Sequence, residues 1–321
     1  MNFLILSVGR RTKLIEYFVE NFKNFGKVIC TDCDVLAPAL YTSDKKYILP
    51  TIDNPSYIEN VKDICLKENI KGIISLIDPE LSLISKNRKI FEDIGVSLFL
   101  SPYDATEICF DKFKMYKFLK TNLFNTAKSY INIEEFNDDY IKNNIKFPVF
   151  IKPVHGSASI NVQKVEQIEE LEFIMKKYND IMIQEFLDGK EIGVDVYVDI
   201  LSGEVISIFA KEKIRMRSGE TDKSKSLVCN KLFKMIEEFV LKLGIKGPAD
   251  IDVFKIGSEY FISEVNPRFG GGYPHAYECG ENFIEYIKNN LSGVANNPSI
   301  GNYEDEVFML KCDNVKMISK N

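Results

Sequence analysis

Tryptophan is absent from the 321 residues, histidine occurs only twice, and no block of lysine and arginine interleaves with aromatic residues. That last absence, with a net charge of −6 and a pI of about 5.3, argues against a nucleic-acid partner. Long hydrophobic runs are missing too. The opening stretch Met1–Val8 is too short to span a bilayer, and Arg10 and Arg11 follow it, whereas a secretory leader carries its positive charge first. The expectations are no membrane partner and a cytoplasmic location. The seven cysteines are odd in number and scattered, as expected of reduced thiols, and Cys30-Thr-Asp-Cys33 has no second pair to complete a zinc site. A G-x-G-x-x-G fingerprint is also lacking: the first strand ends in Gly9 alone, which disfavours a nicotinamide dinucleotide and a dehydrogenase.

What is present is ample apolar material, 45% of the chain, without low-complexity tracts, enough for two or three separate cores. Residues 2–8, Lys27–Cys30 and Gly72–Ile77 read as buried strands alternating with helices, one of them over Tyr57–Glu68, which predicts a parallel α/β sheet. The carboxyl ends of such strands are where ligands bind, and here they carry Arg10, Arg11, Asp32, Asp78 and Glu80. Arg10 and Arg11 read equally as helix surface or as anion contacts. The pattern predicts a helix from about Ser101 to Leu119. Strands at Phe147–Pro153 and Asp180–Gly189 then flank a helix over Ile168–Lys177, a hairpin joins Gly193–Ile200 to Glu204–Lys211, and a helix over Lys231–Leu243 stops at Gly244.

The densest chemistry lies in Phe261–Gly272. Glu264 and Asn266 are two apart, so on a strand they share one face. Upstream, Asp250 and Asp252 do the same, and a turn near Ser258 would set Asp252 opposite Glu264 and Asp250 opposite Asn266. Like charges facing across a ladder repel unless a cation lies between them, and carboxylates with a carboxamide suit Mg²⁺, with Mn²⁺ as an alternative. Arg268 and Gly270-Gly271-Gly272 follow at once. Arginine and glycine-lined backbone both suit oxyanions, so a metal–phosphate site outweighs a merely solvated hairpin face.

Other stretches are weak singly. Lys152 closes a buried strand before the small-residue turn His155–Ser159, as a phosphate-binding lysine would, though such lysines often only reach for water. Gln184-Glu185-Phe186-Leu187 ends another strand, where backbone groups and an apolar wall could hold a purine. The run Lys211–Glu220 reads as a charged loop, exposed or closing over a ligand. His275 could serve as a base or contact substrate, or simply be packed.

The order of these elements resembles the ATP-grasp superfamily: Asp111-Lys112, Phe-Pro-Val-Phe-Ile-Lys152-Pro, the small-residue loop, Gln-Glu185-Phe-Leu-x-Gly-x-Glu191, Asp252, and Glu264-x-Asn266-Pro-Arg268. Within it the chain is similar to the branch that includes the carbamoyl phosphate synthetase large subunit and biotin carboxylase. The resemblance implies mixed α/β and α+β architecture: a Rossmann-like domain over 1–105, a linker helix and small lid subdomain over 106–190, a large ATP-grasp subdomain with the metal site over 191–300, and a tail over 301–321. It implies that Lys112 and Lys152, with Ser157, Ser159 and Lys211, bind ATP phosphates. The backbone at Glu185, Phe186 and Leu187 would take the adenine and Glu191 the ribose. Asp252, Glu264 and Asn266 would hold Mg²⁺, Arg268 would face the transferred phosphoryl group, and Arg215 would bind the carboxylate. The acceptor pocket would draw on Arg10, Arg11, Asp78, Glu80, Gly271 and His275. Two departures stand out: the loop after His155 is poor in glycine, and Asp252 stands where relatives often carry Glu or Gln.

The implied activity is ATP-dependent ligation of a small carboxylate to an amine or thiol through an acyl phosphate, with a homodimer compatible. The alternatives are phosphorylation of bicarbonate or carbamate, which normally needs two ATP-using halves, and a non-catalytic nucleotide-binding module, which would be expected to have lost Glu264, Asn266 or Arg268.

Overall fold

The computed structural model describes residues 1–156, 163–312 and 314–318, in three sheets. The first contains β1 (Asn2–Leu6), β2 (Val28–Asp32), β3 (Lys45–Ile48), β4 (Ile70–Ser75) and β5 (Ser97–Leu98), all parallel and ordered β3-β2-β1-β4-β5. Strand β1 shows why the run is apolar throughout: Phe3 and Ile5 enter one core, Leu4 and Leu6 the other. Gly72 on β4 leaves room for the Phe3 ring, which would lie 2.6 Å from a Cβ placed there.

A smaller antiparallel sheet follows, built from β6 (Ser129–Tyr130), β7 (Val149–Pro153), β8 (Gln163–Val165) and β9 (Ile181–Glu185) in the order β6-β9-β7-β8. Helices Ile133–Ile141 and Ile168–Lys177 cover one side, burying Phe136, Leu171 and Ile174 against Val149, Ile151 and Ile183.

The third sheet is antiparallel and comprises β10 (Lys190–Val198), β11 (Val205–Arg217), β12 (Glu220–Leu227), β13 (Gly247–Ile256), β14 (Glu259–Asn266) and β15 (Phe308–Leu310), ordered β14-β13-β10-β11-β12-β15. One face is aliphatic: Ile192, Val194, Val196, Ile251 and Val253 pack under helix Asn230–Leu243. The other face changes character along its length. At one end Tyr197 and Phe209 join the core that also holds Phe3, Phe18 and Phe269, so the first and third sheets share one hydrophobic contact. At the other end the same face carries charges, because residues two apart on a strand stay on one side.

Two expectations change. The predicted helix over Ser101–Leu119 is two helices, Tyr103–Phe110 and Lys112–Thr121. Asp111 takes an extended ψ of 104° between them and caps the second by accepting from Phe113 N and Lys114 N. Both helices bury Ala105, Cys109, Met115 and Leu119 in the core of the large sheet, whereas the described residues of the small sheet and its two helices have a core of their own. The run Lys211–Arg217 is not a loop but the second half of β11, paired with β12 and bulged near Arg215. The tail contributes β15, an edge strand beside β12. Among the described residues no helix is long and apolar enough to cross a membrane, and the seven cysteines are free, Cys30 buried and Cys33 exposed.

Candidate active site

The facing pairs expected from the hairpin are present: Asp252 lies opposite Glu264 and Asp250 opposite Asn266, with a bulge after Asp252. On the other side of β13, Asp252 pairs with Gly193 and Asp250 with Asp195. Opposed residues of an antiparallel ladder project to the same side, so Glu191, Asp195, Asp250, Asp252 and Glu264 share one face. Five carboxylates in that area require cations. Lys213 meets Asp252 Oδ1 at 2.6 Å and Glu191 Oε1 at 2.7 Å, and Lys211 forms a fully buried pair with Asp195. Burial and the neighbouring carboxylates raise the Asp252 carboxyl above its usual range, against the pull of Lys213. Burial opposes the charge of Lys213, but Asp252 and Glu191 outweigh it and hold its ammonium protonated.

From the small sheet, β7 delivers Lys152, 7% exposed, into electrostatic reach of Glu264 and Asp252. Burial lowers its pKa to about 8, with Lys112 adding to the fall and the two carboxylates opposing it. Lys112 opens helix Lys112–Thr121, and its Nζ donates to Gly156 O at the start of the small-residue loop. Ser157 and Ser159 lie outside the described residues.

Arg268 joins this face to the first domain. Its Nη2 donates to Asp78 Oδ2 at 3.1 Å and to Asn266 Oδ1 at 3.0 Å, while Nη1 donates to Phe269 O at 3.1 Å. Burial works against its charge, yet Asp78 and Asp250 keep its pKa above the ordinary arginine value. Asp78 is in the first turn of helix Asp78–Lys86, at the carboxyl end of β4, where the parallel sheet was expected to face a ligand. Arg11 is close enough to feel Arg268 and Asp250 and lies 3.6 Å from Glu220, whereas the more exposed Arg10 reaches Ser218 O and Glu220.

Several candidates are placed differently from expectation. Glu80 is wholly buried and accepts from Ser7 Oγ, Tyr57 OH and Ser75 Oγ, so it braces the first sheet and does not line a pocket. His275 is 2% exposed with both ring nitrogens engaged, Nδ1 with Ser224 Oγ at 2.8 Å and Nε2 with Val307 O at 3.1 Å. Burial and Lys211 lower its pKa to about 4, so it is a packed neutral ring and not a base at hand. Lys211 has no exposed surface, and its Cε would lie 2.6 Å from a Cβ at Gly272. The glycine run therefore serves the protein's own side chains: Asp250 crowds Gly270, Glu220 crowds Gly271, and Lys211 crowds Gly272. Arg215 is exposed on the outer half of β11. Glu185 is tied into the small sheet, its N–H donating to Lys128 O and its carboxylate accepting from Lys128 N at 3.0 Å. A purine edge near this segment would need its backbone donor from Leu187.

Sequence reasoning did not single out Glu220, and it counted Lys213 only within a loop, Lys213-Ile-Arg215, expected to help build the acceptor pocket. The signal for its face was available: two residues beyond Lys211 on one strand, Lys213 must share the side on which Lys211 pairs with Gly193.

Known proteins bear on this arrangement. Residues 109–272 match the ATP-grasp domain family and residues 3–99 the PylC-like N-terminal domain. The chain is 25% identical over 276 residues to the carbamoyl phosphate synthase large chain of Clostridium botulinum (strain Alaska E43 / Type E3), a match covering 81% of this chain and 24% of that one. It thus spans about a quarter of the length of these curated relatives. It is 35% identical over 138 residues to the D-alanine--D-alanine ligase of Aquifex aeolicus (strain VF5), covering 38% of this chain and 46% of the ligase. Among solved structures, L-amino acid ligase from Bacillus licheniformis superposes with a TM-score of 0.70 at 21% identity, over 90% of this chain and 74% of that one. A match running from the helix before Lys112 through Gly272 takes in the whole face of charges just described, and the chain belongs to the ATP-grasp domain family.

Proposed function

We propose that this protein is an ATP-dependent ligase that joins the carboxylate of a small metabolite to an amine through an acyl phosphate. The observation that carries the reading is the convergence of two sheets: the buried Lys152 of β7 lies within electrostatic reach of Asp252 on β13 and Glu264 on β14, and Arg268 bonds Asn266 at the end of the same β14. Nothing in a structural core requires an ammonium of lowered pKa against a row of acids. A polyphosphate and its cation would use both.

A divalent cation fits the donor set. Asp252, Glu264 and Asn266 offer hard oxygens on facing strands, and Asp252 already attracts an ammonium to 2.6 Å. Among the described residues no three His, Cys, Asp or Glu side chains stand at metal-ligand spacing, so an ion at the two carboxylates would take the rest of its shell from the carboxamide, water and phosphate oxygens. Mg²⁺ held there would neutralise charge on the transferring phosphoryl group. Lys152 and Lys112 would hold the phosphates, Glu191 the ribose, and the strand end at Glu185–Leu187 the base. Arg268, fixed by Asp78 and Asn266, stabilises the phosphoryl oxygens as the substrate carboxylate attacks phosphorus and ADP leaves. The amine then attacks the acyl carbon and phosphate departs. Acyl phosphates hydrolyse, so the unit of residues 129–185 closes over the face during turnover. The carboxylate and amine enter between this face and the carboxyl ends of β1, β2 and β4, near Arg11 and Asp78.

The test is an ADP-release screen of carboxylates, including amino acids and bicarbonate, crossed with amines, using Glu264→Gln as control. Stimulated ADP release that is abolished by the substitution supports the reading. Release insensitive to Glu264→Gln removes the metal assignment. ATP binding without stimulation by any pair makes the protein a nucleotide-binding module.

A further inference from the structure

Lys213 reaches two carboxylates on two other strands. From β11 it contacts Glu191 on the adjacent β10 and Asp252 on β13, one strand farther, with its side chain only 6% exposed. To reach β13 it must cross β10, and the residue of β10 opposite Asp252 is Gly193. A Cβ at Gly193 would lie 3.1 Å from Lys213 Cε and 3.3 Å from Lys211 Cε. The glycine lies within a regular ladder, paired with Lys211 on one side and Asp252 on the other, so its value here is the space it leaves. Both residues that Lys213 holds belong to the nucleotide site proposed above.

We propose that Lys213 is a built-in counter-cation of that site, threaded over Gly193. It holds Glu191 and Asp252 in place while the site is empty and releases both when a metal nucleotide enters. This inference rests on the assignment of the metal to Asp252. The physical requirement is plain: without an ammonium, Asp252 faces Glu264 across one ladder, lies diagonal to Glu191 across the other and has Asp250 two residues away on its own strand, and like charges so close repel. With a divalent cation at Asp252, an ammonium 2.6 Å from the same carboxylate becomes the repelled charge, and its flexible stem lets it move to phosphate oxygens or solvent. Lys213 is thus a positioning residue whose departure is coupled to loading. Nucleotide is thereby favoured over metal alone, because only the nucleotide brings the anions that re-house the ammonium.

The experiment measures Mn²⁺ binding by electron paramagnetic resonance at about pH 8.5, where free carboxylates are ionised, with and without ATP. Wild type, Lys213→Met and Gly193→Ala are compared, and each protein is also followed by thermal unfolding. Mn²⁺ alone should bind Lys213→Met at least about tenfold more tightly than wild type. Gly193→Ala, whose methyl would lie 3.1 Å from Lys213 Cε and so crowd the stem by a few tenths of an ångström while keeping its charge, should move the same way to a smaller extent. Metal-free Lys213→Met should melt below wild type and gain more from Mn²⁺. If Lys213→Met binds Mn²⁺ alone no more tightly than wild type while Mn²⁺–ATP still binds, the counter-cation role is overturned and the metal reading stands. If none of the three proteins binds Mn²⁺ even with ATP, the metal assignment at Asp252 is overturned and this proposal with it.

Discussion

Replacing Lys152 by methionine should separate stability from activity. The side chain is buried, and burial lowers its pKa from 10.5 to about 8, which is worth about 3 kcal/mol against the charged form in the empty protein. Methionine keeps the length of the stem and carries no charge, so the nucleotide-free variant should be more stable by up to about 3 kcal/mol, a rise of several degrees in Tm. The pH dependence has a definite sign. Below about pH 8 both states hold the proton and the folded chain carries the whole burial cost. Between about 8 and 10.5 the unfolded chain binds a proton that the folded chain has lost, so wild-type stability rises with pH across that window, and Lys152→Met lacks the rise. Activity should move the other way. Losing an ammonium from a buried contact with phosphate costs about 2–5 kcal/mol, at least thirtyfold in kcat/KM. Paired thermal unfolding and coupled ADP-release assays read both effects. A variant that is less stable than wild type at pH 7 and yet retains kcat/KM within a few-fold would refute the reasoning. It would make Lys152 a structural ion-pair partner and not a phosphate ligand held at a cost.

Four further outcomes follow. Wild-type KM for ATP should climb as pH rises through about 8, where free Lys152 loses its charge, and initial rates across pH measure it. His275 should carry an acid-side signature: neutral in the fold with a pKa of about 4 against 6.5, it takes up its proton more readily once unfolded, so stability falls as pH drops from 6.5 toward 4. His275→Gln should flatten that slope by up to about 3 kcal/mol and leave kcat within a few-fold, as seen by urea unfolding and steady-state assay. Arg268→Lys should lose at least about tenfold in kcat/KM, because an ammonium cannot span Asp78, Asn266 and Phe269 O as the guanidinium does, and ADP-release kinetics will show it. Gly270→Ala would place a methyl 2.4 Å from the Asp250 carboxylate and should lower stability by about 1–3 kcal/mol in thermal unfolding.

Local patterning foretold a good deal of this structure. Alternation two by two in Ala249–Phe254 and Phe261–Asn266, with a turn at Ser258 between them, determined that Asp252 faces Glu264 and Asp250 faces Asn266, and the ladder has that register. Continuous apolar runs foretold the parallel sheet, and the pattern at Ile168–Lys177 located a helix to the residue. Misreadings arose where charge was taken for exposure. Lys211–Arg217 is rich in cations and was expected to be a loop, yet it is a strand, because its inward residues find buried carboxylates on neighbouring strands. Likewise a long apolar pattern concealed the break at Asp111, where capping two backbone N–H groups favours a new helix over continuing the old one.

By itself, then, the sequence determined most of the elements, their faces and the inventory of oxygens, lysines and arginines, since these depend on residues a few positions apart. Which of them share a site was decided only by tertiary structure. Nothing near Lys152 announces Glu264, nothing near Asp78 announces Arg268, and Glu80 and His275 look as functional on paper as their neighbours until burial shows them bonded inward. The physical reason is that long-range pairing of charges is set by how the three sheets pack, and burial then decides whether a polar side chain faces a ligand or another part of the chain. Lys213 is the clearest instance: its role depends on an empty place at Gly193, one strand away, which only the assembled sheet reveals.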